Sequence, residues 1–245
     1  MSIPSDPIPE AVISNIVCGF SIRDVRISID ALVKKIDACA YNSVKFAAAT
    51  LRLKNPRCAA LIFSSGSIVC PGTRTQIEAL NAAWRYSRFL QKYVGIEGVF
   101  SSFDIKNVVS SAICLYQIFN ERIHVALPEF SKYNPENFPG LIYRDDTQYG
   151  NVTFLVFVSG KVVITGARTQ EESVEKWNHF YSNLVVHYLD VHGELGGMDS
   201  SEYKHFISAN RKRDQEDEEE DEALLYAMFG LGELDGDEDF ASILI

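Results

Sequence analysis

Apolar and polar residues alternate in short runs separated by Gly, Pro and Ser breaks, and one order of runs occurs twice. Alternation with a period of two marks a β-strand, because successive side chains point to opposite faces. It predicts initial strands over about 11–20 and about 103–116. Runs rich in β-branched and aromatic residues predict strands at 45–54, 58–64 and 67–71, then at 138–144, 152–158 and 161–165. Apolar residues at helical spacing predict a long amphipathic helix closing each copy, about 74–93 and about 168–190. A shorter helical stretch follows each initial strand, about 28–38 in the first copy and about 119–128 then 128–133 in the second.

The duplication is explicit in the residues. Ala60 to Glu78 reads ALIFSSGSIVCPGTRTQIE and Phe154 to Glu172 reads FLVFVSGKVVITGARTQEE, at an offset of 94 residues. Ile13-Ser14-Asn15-Ile16-Val17 matches Ile105-Lys106-Asn107-Val108-Val109 at an offset of 92. The drift requires a two-residue insertion, for which Asp145 to Gly150 is the natural place. SSGS and VSGK are hairpin turns in which Gly66 and Gly160 supply the permissive backbone. Strands followed by a helix, twice, give an α+β fold with antiparallel strands. Two such units side by side give one sheet with pseudo-twofold symmetry. The two long helices cover one face. The other face carries apolar residues and has no helix left to cover it, which is the signature of a binding surface.

Net charge alters the picture only when it is divided. The chain has 245 residues and a formal net charge of −10. From Glu194 onward there are 16 acidic and 4 Lys or Arg residues, whereas the first 193 residues hold 17 acidic and 19 basic ones. A near-neutral, slightly basic body therefore carries an acidic appendage, and the average does not argue against a polyanionic partner. The five cysteines form no CxxC pair and read as small buried apolar residues. The five histidines show no metal-ligand frame, and no catalytic pair stands out, so neither an enzyme nor a cofactor is expected. The N-terminus shows no secretory pattern and no run is long enough to span a membrane. An intracellular protein with no membrane partner is expected.

On several motifs at once the chain resembles the TATA-box-binding protein family. Tyr41-Asn42-Ser43-Val44-Lys45-Phe46-Ala47-Ala48 is similar to the family's first phenylalanine stirrup, and Ala60 to Gly66 to its next hairpin. Phe138-Pro139-Gly140-Leu141-Ile142-Tyr143-Arg144 and Phe157 to Val163 are similar to the second-repeat counterparts. Asn15-Ile16-Val17 and Asn107-Val108-Val109 resemble the two strand-one motifs. The resemblance spans about residues 9–190. It implies a saddle: one curved antiparallel sheet with the long helices on the convex face. It divides the chain into a flexible N-terminus at 1–8, repeat 1 at 9–95, repeat 2 at 96–192, and an acidic tail at 193–245, largely disordered or folded by a partner.

The resemblance also implies a role for each residue. Phe46, Phe63, Phe138 and Phe157 would insert between base steps of DNA. Asn15 and Asn107 would donate to minor-groove acceptors at the centre of an A/T-rich site, flanked by Val17, Val69, Val109, Val163, Leu61, Leu155 and Thr165. Pro71 stands opposite Thr165 in the repeat and departs from the family, so that half-site is expected to tolerate different bases or to bind more weakly. Lys45, Arg52, Arg74, Arg144, Lys161 and Arg168 are the phosphate-contacting candidates. Ser67 opposite Lys161 and Asn137 opposite Lys45 lower the expected number of phosphate contacts.

The implied function is transcription initiation: binding and bending A/T-rich promoter DNA through the minor groove and nucleating polymerase pre-initiation complex assembly. It would act in the nucleus or at a site of viral or cellular transcription. The alternative is a regulator that kept the fold and mainly binds transcription factors or other proteins. Glu136 and Asn137 mark the surface for a factor IIB-like protein. A factor IIA-like protein is a further implied partner, although Trp84 stands where a basic residue is usual. The tail interleaves acid with Leu224, Leu225, Tyr226, Met228 and Phe229, which suits a tail-binding partner or an intramolecular contact.

Overall fold

The computed structural model describes residues 7–44, 46–53 and 58–189. Lys45, the first six residues and the acidic tail, with their expected roles, lie outside the described residues. The chain falls into two compact units. Among the described residues one holds Asn15–Lys106, and the other joins residues 7–14 to 107–189. The boundaries cut the two long strands, β1 (Val12–Arg23) and β5 (Val99–Ile113), so each of these strands belongs to both units.

In the first unit β1 is followed by α1 (Ile29–Lys35), β2 (Ala49–Leu53), β3 (Cys58–Ile62), β4 (Ser67–Thr73) and α2 (Gln76–Phe89). The strands are antiparallel in the order β2-β3-β4-β1. Alternate strand residues are buried, among them Cys18, Phe20, Ala60, Ile62, Ile68 and Cys70. Helix α2 packs on β4 and buries Ala79, Ala82, Ala83, Tyr86 and Phe89. Small residues bring the helix close, and the Tyr86 hydroxyl donates to the carbonyls of Cys58 (3.0 Å) and Leu51 (3.2 Å). The predicted helix over 74–93 ends as an α-helix at Phe89 and continues as a π turn, Leu90–Val94, closed by Gly95 at φ +74°.

The second unit has α3 (Asn120–Ala126), β6 (Ser131–Asn134), β7 (Phe138–Arg144), α4 (Asp146–Tyr149), β8 (Thr153–Phe157), β9 (Lys161–Ala167) and α5 (Gln170–Asn183). Its strand order is β5-β9-β8-β7-β6. Helix α5 packs on β9, and Phe180 stacks on Phe154 with centroids 3.9 Å apart. Trp177 is fully buried and donates its indole N–H to the Pro9 carbonyl at 2.6 Å.

Two expectations are corrected. Residues 128–133 are not a second helical piece, because Ser131–Asn134 pairs with β7 at the sheet edge and overrides a weak helical pattern. The Asp145 to Gly150 insertion is not a plain loop. Asp145 caps a helical turn by accepting from the amides of Thr147 and Gln148, and Tyr149 is driven into the core between Phe154, Phe180 and Tyr143.

Both closing helices start with the same capping box. Thr75 and Thr169 accept from the amides of Glu78 and Glu172 at 3.0 and 3.1 Å. The Glu78 and Glu172 carboxylates accept from the amides of Arg74 and Arg168, each at 2.7 Å. The R-T-Q-x-E frame is thus a helix start written twice.

Candidate nucleic-acid interface

On the sheet face opposite the helices, repeat 1 presents Val17, Leu61, Val69 and Pro71, and repeat 2 presents Val109, Leu155, Val163 and Thr165, all partly exposed. They share a face because they take the parity left over by the buried residues. Leu61 lies directly across from Val69, and Leu155 from Val163.

Phenylalanines flank each apolar patch. Phe46 and Phe63 stand 5.9 Å apart at 68°, and Phe138 and Phe157 stand 5.8 Å apart at 66°. Edge-to-face pairing holds rings in one mutual geometry. Yet Phe46 is 49% exposed and Phe138 36%, so the pairs protrude instead of filling the core. The backbone behind them repeats as well. Phe46 N–H donates to the Asn42 carbonyl, while Asn42 Oδ1 accepts from the Val44 amide at 3.2 Å. Asn134 Oδ1 accepts from the Glu136 amide at 3.2 Å, its carbonyl accepts from the Asn137 amide, and Asn134 pairs with Phe138. Asn42 and Asn134 are therefore turn-forming residues. Their offset, the same 92 residues that relates Asn15 to Asn107, is the signal in the sequence that could have found them. Glu136 and Asn137 are exposed at the tip of that turn.

The asparagines sit at register irregularities. Pairing slips between Ile16 and Val17, and between Val108 and Ser110, which leaves Gly72 and Gly166 bulged at φ +114° and +101°. Each bulged amide donates to the neighbouring asparagine: Gly72 N–H to Asn15 Oδ1 and Gly166 N–H to Asn107 Oδ1, both at 2.8 Å. A backbone N–H can only donate, so both side-chain oxygens face the bulge and both NH2 groups are left as donors for other partners. In repeat 2 the Asn107 NH2 also donates to Thr165 Oγ1 at 3.0 Å.

The basic residues are less uniform. Arg52, Lys161 and Arg168 are exposed and Arg74 is partly so. Arg144 is engaged, with Nε 2.6 Å from the Asp146 carboxylate, which raises the guanidinium pKa further. Among the described residues no group of acidic, His or Cys side chains is placed to hold a metal ion, and no helix is long and apolar enough to cross a membrane.

An antiparallel strand set backed by one long helix, present twice, with paired rings and a bulge-held amide in each copy, defines a two-repeat α+β class. The family model described as transcription factor TFIID (or TATA-binding protein, TBP) matches residues 10–93 and 102–186. TATA-box-binding protein 1 of Triticum aestivum is 36% identical over 182 residues, covering 74% of this chain and 76% of its own. The TATA-box-binding protein of Bombyx mori is 37% identical over 182 residues, and the chain spans 58% of that relative's length. The solved Methanococcus jannaschii TBP matches with a TM-score of 0.60 at 31% identity, over 71% of this chain and 97% of its own. The chain belongs to the TATA-box-binding protein family.

Proposed function

We propose that this protein is a transcription initiation factor that binds A/T-rich double-stranded DNA in the minor groove, bends it, and nucleates polymerase pre-initiation complex assembly. The duplicated pair of exposed phenylalanines carries the reading. Two rings held edge-to-face, one exposed and the other half-buried, are wedges with nothing to wedge inside the protein. Beside each pair lie apolar residues that fit a shallow groove and an amide donor that matches adenine N3 and thymine O2. Arg52, Arg74, Lys161 and Arg168 supply phosphate contacts; Arg144 and Lys45 are further members of that set. The Glu136-Asn137 turn receives a factor IIB-like protein, and α2 a factor IIA-like one. Action in the nucleus, or wherever the polymerase it serves works, follows from that role. The division into repeats at 9–95 and 96–192 and a tail from 193 is part of the same proposal.

Titration of a labelled A/T-rich duplex in the presence of a minor-groove-filling drug tests it. Competitive displacement by the drug, and weak binding to a G·C duplex, support the reading. Equal binding to both duplexes, unaffected by the drug, rejects it. One observation favours a second reading, a regulator that mainly binds proteins: Arg144 already has an acidic partner in Asp146. Failure to bind any duplex would select that reading.

A further inference from the structure

The two repeats hold their asparagines identically but surround them differently. In repeat 2 the residue beside the glycine bulge is Thr165, whose hydroxyl accepts from Asn107 Nδ2 at 3.0 Å. Thr165 lies directly across from Thr153, a second hydroxyl on the same face. In repeat 1 the matching residues are Pro71 and Ala59, which carry no side-chain polar atom. Asn15 Nδ2 consequently has no partner among the described residues, although Asn15 Oδ1 is fixed on Gly72 at 2.8 Å. Beside its asparagine, repeat 1 offers a donor and apolar surface; its hydroxyl on this face, Thr50, lies on β2 across from Leu61 and not beside the bulge. Repeat 2 offers donors and hydroxyl oxygens, each with two lone pairs, only one of which Asn107 occupies on Thr165.

Minor-groove chemistry turns that difference into base discrimination. An A·T pair shows only acceptors, and a G·C pair adds the guanine N2 amino donor. Against repeat 1 that amino group would face an amide donor and the Pro71 ring, desolvated and unpaired. Against repeat 2 it can donate to the free lone pair of Thr165. We infer that Pro71 and Thr165 make the two half-sites unequal, repeat 1 demanding A·T and repeat 2 accepting G·C, so that a single off-centre G·C pair sets the direction in which the protein sits on DNA. The Pro71 half-site, expected from the sequence to tolerate different bases, is thereby the stricter of the two. This rests on the DNA-binding reading above and adds a polarity determinant to it.

The direction can be read by fluorescence transfer. Val125 is 82% exposed on α3, and the native cysteines are buried, so a dye on Val125→Cys reports the repeat 2 end. The acceptor dye sits on one end of a symmetric A/T duplex carrying one G·C pair, stepped through the positions on one side of its centre. At one of these steps the orientation with G·C under repeat 2 is expected to prevail by about tenfold, the usual cost of one mismatched base pair. Pro71→Thr should abolish the preference, read as the ratio of the two orientations on a duplex it still binds. Thr165→Val should abolish it and weaken binding to the G·C-bearing duplex by about tenfold more than to the all-A/T duplex. Both variants are first checked on the all-A/T duplex, and if Pro71→Thr fails there, Thr165→Val alone decides. Equal or reversed orientations in the wild type at every step, or a preference that survives the substitutions, would overturn the inference and leave the DNA-binding reading standing. No binding by the wild type to the all-A/T duplex would remove both.

Discussion

The side-chain oxygen of Asn107 accepts the backbone N–H of Gly166 at 2.8 Å, and this contact ties the fold to the face it presents. The bulge exists because a glycine at φ +101° leaves the ladder, and the amide it frees orients the asparagine. Replacing Asn107 by Asp preserves an oxygen for Gly166 but turns a carboxylate toward groove acceptors. Thermal stability should change by less than about 1 kcal/mol, the scale of one hydrogen bond. Duplex affinity should fall at least about tenfold, the scale of a lost base contact. Calorimetry and a gel-shift titration measure both; retained affinity would remove Asn107 from the reading surface.

Tyr149 tests the corrected insertion. Its ring is 2% exposed and contacts Phe154 and Phe180, while its hydroxyl lies 3.2 Å from His179 Nδ1. Truncation to Ala should cost about 3–5 kcal/mol, as for other buried aromatics. Tyr149→Phe should cost about 1 kcal/mol, one hydrogen bond. Urea unfolding distinguishes these values, and a near-neutral Tyr149→Ala would place the segment outside the core.

The duplicated capping boxes give a paired control. Thr75→Ala and Thr169→Ala should each destabilise by about 1 kcal/mol. Because the two caps have the same geometry, at 3.0 and 3.1 Å, the losses should match. Unequal losses measured by denaturant midpoints would show that one helix start is held by something other than its cap.

Alkaline pH should unfold the protein through its buried acids. Burial pushes the Cys58 and Cys114 thiols from an ordinary 9.0 up to about 12, and Tyr143 from 10.0 to about 12. A group with a raised folded pKa contributes its stability in full below the unfolded value and loses it as pH climbs to the folded one. Stability should therefore decline from about pH 9 toward 12, and these thiols should resist alkylation at about pH 8 until denaturant is added. Rapid alkylation of Cys114 in native buffer would contradict the burial.

The repeat and the strand and helix order were legible because the frame F-x-S-G-x-x-V-x-x-G-x-R-T-Q occurs twice at one offset. That offset makes Phe63 and Phe157 mates before any contact is known. Phe46 and Phe138 lie outside that frame and were legible only through the resemblance to the family. Strand β6 was hidden, since Ser131–Asn134 is an edge strand whose pairing with β7 is non-local. The asparagine–glycine contact was hidden for a different reason. Nothing in N-I-V or in T-G-A shows that the register slips between them; that depends on pairing 57 or more residues apart. The engagement of Arg144 was hidden because its acceptor, Asp146, belongs to the insertion, which has no counterpart in repeat 1.

The most direct test of the central claim is fluorescence transfer across an end-labelled A/T-rich duplex, with the wild-type protein and with Phe138→Ala/Phe157→Ala. Wedging at a ring pair 5.8 Å apart predicts a large bend in the wild type and its loss in the double variant. The size to expect is the ~80° kink characteristic of this family, a magnitude that comes from the family and not from the ring geometry. A wild type that leaves the duplex straight, or a double variant that bends it as well, would contradict the account.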